Sequence, residues 1–335
     1  MPSGGAGGRA DGYRHTTGIR VGNRRGHAAV NRRERVYLFI DIHAHAYRKQ
    51  PPAYSFCTPE QVLERYDAIG IEKGALLPIV SPEIYLPQAN EDILDMVEQY
   101  PDRFIPFCNI DPRALTNSSH APLGDLLRHY KDKGCKGLGE VMPNLPVMDP
   151  LVQNLFKHAQ DVGLPVIFDG SDQVRGDFGL YDDPGLPQLE HTLQRFPDLI
   201  MLGHGPVFWS EISRLETPGE RSSVFRPDGG QVGRRPTGPI KEEGVVPKLL
   251  RRYPNLHGDL SDASPWNALA RDPEYGPKFL TEFQDRLLFG TDICFPDMPI
   301  DIVDLLLDWR DTRKISEGVF NKVARENAVR LLQLE

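Results

Sequence analysis

The chain is short of cysteine, of long apolar runs, and of positive charge outside one end. Four cysteines occur in 335 residues, Cys57, Cys108, Cys135 and Cys294, and none form a Cys-x-x-Cys pair. A small disulfide-stapled module is therefore excluded, and a reduced intracellular thiol set is expected, with a cytoplasmic location and no disulfides. No apolar stretch approaches the roughly 20 residues that cross a bilayer, because the runs Val36–Ile40 and Ala75–Val80 are short. A membrane-spanning protein is not expected. The net charge is −8, but Met1–Arg35 carries eight Arg against Asp11 and Glu34, a local +6, so the other 300 residues carry −14. A body this acidic argues against nucleic acid as a partner.

What is present is globular: 39% hydrophobic and 26% charged residues, with 31 Gly and 30 Pro implying many loops between short elements. Residues 1–35, rich in Arg and Gly, read as a disordered leader rather than a transit or export signal, because Asp41 interrupts the following apolar run at once. Residues 36–335 read as a single domain. Eight short apolar runs alternate with amphipathic stretches: Tyr37–His43, Gly74–Ile79, Phe104–Ile110, Gly137–Val141, Pro165–Asp169, Leu199–Gly203, Leu256–Leu260 and Arg286–Gly290. Helical patterns lie between them, opening with Thr58 as a cap before Pro59, then Asn90–Tyr100, Gly124–Lys133, Leu151–Val162, Leu186–Phe196 and Pro277–Phe283. Asp301–Trp309 and Ser316–Leu334 close the chain as helices. Eight βα repeats of this size predict an α/β fold, a (β/α)8 TIM barrel whose reactive groups gather at the C-terminal strand ends; a doubly wound open sheet is the competitor. The repeat stretches once, at residues 216–244, where Gly, Pro and Arg without periodicity predict a long loop, either a lid or a surface decoration.

The chemistry is concentrated at the predicted strand ends. Asp41-Ile42-His43-Ala44-His45 alternates, which predicts Asp41, His43 and His45 on one side of a strand and Ile40 and Ile42 on the other. Two imidazoles two residues apart suit one divalent transition ion, Zn²⁺ first, with Mn²⁺, Fe²⁺ or Co²⁺ also compatible. Glu140, Asp169 and His204 end later strands and Asp292 follows another. The intervals are 29, 35 and 88 residues, meaning one repeat, one repeat, and two repeats plus the inserted loop. One ring of strand ends would thus present all six. Each has a bland alternative: Glu140 a helix cap, Asp169 an Asx-turn, His204 a satisfied loop histidine, Asp292 an N-cap. Trp209, Trp266 and Phe295 follow strand ends and would wall an apolar substrate, or pack as ordinary loop residues, and Arg113 would clamp a substrate anion or likewise serve as an ordinary loop residue. The remaining histidines, His257 among them, are placed outside the site.

These residues resemble the amidohydrolase superfamily of metal-dependent TIM barrels, in its amidohydrolase-related branch. The carriers are Ile40–His45, Leu202-Gly203-His204-Gly205, Asp259-Leu260-Ser261, Leu288-Phe289-Gly290-Thr291-Asp292 and Glu326–Leu332. The resemblance implies that His43, His45 and Asp292 bind the metal and that Asp292 also takes a proton from the activated water. It implies that His204 is a second-site ligand or the group that polarises substrate and shuttles protons, and that Glu140 is a bridging carboxylate permitting a second ion. At the fifth strand the family has His where this chain has Asp169. One or two ions are therefore compatible, with Asp169 a ligand or a substrate contact. The activity implied is metal-assisted hydrolysis of an amide, lactone or ester in a small molecule. The alternatives are nonoxidative decarboxylation and a barrel that keeps metal without turnover. A homodimer is the assembly that the resemblance suggests.

Overall fold

The computed structural model of the chain describes residues 38–51, 55–84, 88–221 and 235–334. The predicted leader lies outside them, as do residues 222–234 of the long loop. Among the described residues nine strands run in chain order: β1 (Phe39–Ala44), β2 (Ile71–Leu76), β3 (Phe104–Pro106), β4 (Leu138–Val141), β5 (Val166–Ser171), β6 (Leu180–Tyr181), β7 (Met201–His204), β8 (Leu256–Asp259) and β9 (Leu287–Leu288). Every pairing between them is parallel, in the orders β1-β2-β3 and β4-β5-β7-β8-β9. The two arcs join through a parallel bridge between Cys108 and Leu138 and another between Ala44 and Ile293. Hydrogen bonds from Cys108 N to Gly137 O (3.0 Å) and from Ile42 N to Phe289 O (3.1 Å) complete the ring. The eight predicted runs thus close into a TIM barrel. The ninth strand, β6, is a two-residue addition beside the end of β5.

Helices fill the connections because their caps and apolar faces agree. Thr58 accepts from Gln61 N while the Gln61 side chain accepts from Thr58 N, a capping box that starts Pro59–Ile69. Asp149 caps Pro150–Val162 by accepting from Leu151 N (2.8 Å), with Gly163 ending it in the left-handed region. Three helices are additional to those predicted, Gly205–Ser210, Val245–Arg252 and Ala263–Ala270. The first and third are too short and too uniformly apolar to show a helical period. The predicted closing helix over 316–334 is interrupted by one π turn, Lys322–Glu326.

Apolar side chains form two layers. Ile40, Ile42, Ile105, Phe107, Ile167, Leu202 and Leu288 fill the barrel, and Ala328 and Leu332 join this interior cluster. Phe39, Ala44, Leu76, Leu138, Val141 and Val166 face outward into the larger core between strands and helices. This arrangement corrects the predicted alternation of β1. Its register with β2 shifts between Asp41 and Ala44, so Asp41 turns toward the covering helix while His43 and His45 turn toward the barrel axis. β4 shifts likewise between Leu138 and Val141, around Glu140. Both are bulges that re-aim a side chain at a site.

Asp41 is fully buried and accepts from Tyr66 Oη (2.8 Å), Thr291 Oγ1 (2.6 Å), Thr291 N (2.9 Å) and His43 N (2.9 Å). It is a tie between β1, the first helix and the turn after β9. Gly74 leaves room for it, because a Cβ there would lie 2.1 Å from Tyr66 Oη. Burial pushes the Asp41 carboxyl up to about 6 against the pull of these four bonds.

Candidate metal centre

At the C-terminal ends of β1, β4, β5, β7 and β8 and just beyond β9, imidazoles and carboxylates converge on one cup. His43 Nε2 and His45 Nε2 stand 3.1 Å apart. Glu140 Oε2 lies 3.5 Å from both, and Asp292 Oδ1 lies 3.5 Å from the first and 3.3 Å from the second. His204 Nε2 is farther off, 3.7 Å from Glu140 Oε1 and 4.0 Å from Asp292 Oδ2. Asp169 completes a second group with Glu140 and His204. The six predicted residues are therefore brought together.

Their bland alternatives are mostly absent. No helix starts at Glu140 or Asp292, and His204 makes no side-chain cap bond to the helix that follows it. Asp169 does keep a local contact, accepting from Gly170 N at 2.8 Å. Gly205 lets Asp169 approach, since a Cβ there would fall 1.9 Å from Asp169 Oδ1, and its φ of +80° suits glycine. Asp292 itself holds a φ of +53°, a conformation Asp tolerates better than most residues.

The outer contacts decide what the cup can hold. His45 Nδ1 lies 2.8 Å from Leu77 O, which only accepts, so this nitrogen carries the hydrogen and the neutral ring turns a lone pair inward. His43 Nδ1 lies 2.6 Å from Asp259 Oδ2, with the same consequence. Two such nitrogens 3.1 Å apart and facing two carboxylates call for positive charge between them, from an ion or, without one, from protons on the rings. An ion with bonds of about 2.0–2.1 Å separates its ligand atoms by roughly 3.0–3.4 Å, close to the spacings of His43, His45, Glu140 and Asp292. A mixed imidazole and carboxylate set suits a divalent transition ion, and the looser group of Glu140, Asp169 and His204 offers room for a second.

Asp259 and Ser261 are the functional residues whose roles sequence reasoning missed. Asp259 Oδ2 also lies 3.3 Å from His204 Nδ1, and Ser261 Oγ stands 3.2 Å from His43 Nδ1 and 3.0 Å from His204 Nδ1. The two residues orient both rings from behind, as outer partners of metal-binding histidines do. The available signal was the Asp-x-Ser spacing at the end of β8, which alternation places on one face.

Charge follows from burial and these contacts. Burial alone would lower His43, but the charges of Asp259 and Asp292, and hydrogen bonds with Asp259 and Glu140, raise it well above the ordinary imidazole range. His204 is likewise raised, to about 10, with burial and the His43 charge opposing and Asp259 and Glu140 prevailing. Burial would raise Glu140 and Asp259, yet the neighbouring imidazoles hold both carboxyls well below the usual range. Asp169 goes the other way, pushed well above that range by burial and by the adjacent Glu140 charge.

The predicted substrate contacts fare differently. Arg113 is held by Asp111 (2.7 Å at both Nε and Nη2) and by Glu83 (2.9 and 3.0 Å), so its guanidinium is already engaged and does not stand as an anion clamp. Trp209 is buried and its indole donates to Asp259 O at 2.9 Å, supporting β8 from behind rather than walling a substrate. Trp266 is half-buried against the outer core. Phe295 packs against Phe56, 5.2 Å between ring centroids. On the loop flanks, Arg221 is buried, pairs with Glu211 at 3.1 Å and donates to Asp182 O, while Ser213 bridges Glu243.

A closed parallel barrel with imidazoles and carboxylates converging at its C-terminal mouth defines the class of metal-dependent TIM-barrel enzymes. The sequence matches the amidohydrolase family over residues 33–334, and the chain belongs to that family, one of metal-dependent enzymes. Solved structures share the fold at low identity. A TIM-barrel protein from Bordetella bronchiseptica is 20% identical, with 88% of this chain and 98% of that one covered and a TM-score of 0.55. A probable 2-pyrone-4,6-dicarboxylic acid hydrolase from Acinetobacter baumannii, solved with citric acid, is 13% identical over 88% and 99%, at 0.54. A 5-carboxyvanillate decarboxylase from Novosphingobium aromaticivorans, complexed with manganese and a nitrobenzoic acid, is 16% identical over 90% and 97%, also at 0.54. Among curated proteins none matches the chain. Among the described residues no helix is long and apolar enough to cross a membrane.

Proposed function

We infer that the chain is a metal-dependent hydrolase that cleaves an amide, lactone or ester bond in a small molecule. The observation that carries this reading is the position of Asp292. Its Oδ1 lies 3.3–3.5 Å from both imidazole Nε2 atoms, yet its side chain is 18% exposed against 5% for Glu140. It therefore touches the ion position and solvent together, as a proton acceptor for attacking water requires. His43, His45, Glu140 and Asp292 would hold the ion, zinc being the best match to the donors. When bound, such an ion polarises a carbonyl and brings the pKa of water from 15.7 toward about 7.

The residues then divide the proton work. Asp292 accepts the proton of the water that attacks the carbonyl carbon. His204, with Nδ1 tied to Asp259 and Ser261, offers Nε2 inward to steady the developing oxyanion and to return a proton to the leaving group. Asp169 lines the far side of His204 as a second ligand or a substrate contact. Decarboxylation is the competing reaction, and the engagement of Arg113 weighs against it, since a carboxylate substrate lacks that clamp.

The test is elemental analysis of protein purified without chelator, with His43→Ala as control, followed by assays of neutral esters, lactones and amides alongside hydroxybenzoates. Bound transition metal lost in the control, with hydrolysis of neutral substrates, is the expected result. Release of CO2 from the hydroxybenzoates would replace this reading with a lyase, and bound metal without any turnover would favour a barrel that only binds.

A further inference from the structure

Beyond the metal ligands the chain leaves the strands for a second layer: Tyr47 follows His45, Met142 follows Glu140 and Cys294 follows Asp292, each by two positions and each past the end of its strand. Tyr47, Phe56, Ile79 and Met142 form a separate apolar cluster, distinct from both cores, with Cys294 and Phe295 packed against it. Backbone hydrogen bonds hold it in place, Tyr47 N to Cys57 O (2.9 Å) and Cys57 N to Cys294 O (2.7 Å). The cup is thus roofed by hydrocarbon and sulfur on the side of β9, β1, β2 and β4.

One atom in this roof does not fit an apolar role. Tyr47 is 2% exposed, its ring packs 4.6 Å from Phe56, and its hydroxyl is buried without a hydrogen-bond partner among the described residues. A buried orphan hydroxyl carries a desolvation penalty that phenylalanine would avoid, and such groups persist where a ligand completes them. A phenol hydroxyl is a hydrogen-bond donor as well as an acceptor, so an oxygen acceptor brought by a ligand would complete it. Among the described residues no Lys or Arg pairs with Glu140 or Asp292, and Arg113 is engaged elsewhere.

We propose that the Tyr47 hydroxyl is a specificity-determining donor that orients a neutral, apolar-bodied substrate by one hydrogen bond to an oxygen acceptor, with the Phe56, Met142 and Phe295 side chains enclosing the hydrocarbon. This rests on the reading of the cup as a metal-dependent hydrolytic site and names its substrate class. The proposal excludes dicarboxylates and benzoates, because among the described residues the Tyr47 cluster contains no cation to pair with their charge.

The test uses metal-loaded full-length protein and three probes of similar shape: acetophenone, which offers a carbonyl acceptor; α-methylstyrene, which replaces that oxygen by carbon; and benzoate, which is charged. Calorimetric titration of wild type is expected to rank acetophenone first. In Tyr47→Phe, acetophenone binds about fivefold more weakly, the effect of one buried hydrogen bond, while α-methylstyrene is unchanged. The same variant melts higher than wild type when ligand-free, because the orphan hydroxyl is gone, a result that a structural role for Tyr47 would reverse. Equal acetophenone affinity in the two proteins, no probe binding to wild type, or tighter binding of benzoate would overturn the proposal. If the binding pattern holds but no neutral ester, lactone or amide is cleaved, the hydrolase reading fails and the pocket stands.

Discussion

His43 and His45 offer a proton and a divalent ion the same two Nε2 atoms, 3.1 Å apart. The carboxylates that attract the ion also raise the rings toward protonation, His204 to about 10 and His43 well above its usual range. Metal binding must therefore expel protons, and affinity is expected to climb as pH rises from about 6 toward 10, measurable by competition with a chromophoric chelator. A pH-independent affinity would mean that the rings are already neutral. For the metal-free protein the sign is opposite: a raised imidazole contributes stability that is complete below its unfolded value of about 6.5 and disappears as pH passes the folded value. At Asp292 the expectation is kinetic. Asp292→Asn keeps an oxygen ligand but loses the proton acceptor, so kcat should fall about 10²- to 10⁴-fold with metal still bound. Near-normal turnover would remove Asp292 from the proton path.

The strand ends behave as units because neighbouring elements hold them. Asp41 joins β1, the first helix and Thr291, and its loss leaves Tyr66 Oη and Thr291 Oγ1 without their buried acceptor. Asp41→Ala should cost about 2–4 kcal/mol in chemical denaturation, one to two unsatisfied groups, and a loss within error would show that the tie is dispensable. Because burial raises Asp41 to about 6, its contribution is greatest below pH 4 and declines as pH rises through 6, so the difference between wild type and Asp41→Asn should vary over that interval. Gly205 is the corresponding hinge between β7 and the following helix. A methyl group there meets Asp169 and a left-handed backbone, so Gly205→Ala should lose about 1–3 kcal/mol and displace Asp169. If metal stoichiometry in that variant stays at the wild-type value, Asp169 is a substrate contact rather than a ligand.

At the scale of the molecule, the ion position joins strands far apart in sequence: His43 and His45 on β1, Glu140 on β4 and Asp292 after β9. An ion held there would tie these strands to one another. Saturating metal, at about a thousand times its dissociation constant, should stabilise the fold by about 4 kcal/mol. Differential scanning calorimetry with and without chelator reads this as a rise in Tm, which His43→Ala should abolish. Equal melting with and without metal would place the binding elsewhere.

The barrel, its eight repeats and the six residues that converge at its mouth were legible in one dimension, because a βα unit is a local pattern and polar residues at apolar strand ends stand out by composition. Asp41 was misplaced because alternation holds only while register holds, and the bulge between Asp41 and Ala44 depends on the facing β2 backbone. Arg113 and Trp209 read as substrate contacts until their partners, Glu83 thirty residues away and Asp259 fifty away, were in view. Asp259 and Ser261 acquired roles only through His43, more than two hundred residues distant. Residue type and spacing establish which groups are available to a site. Which of them are already satisfied by one another, and which remain free for an ion or a substrate, is a property of the folded contacts.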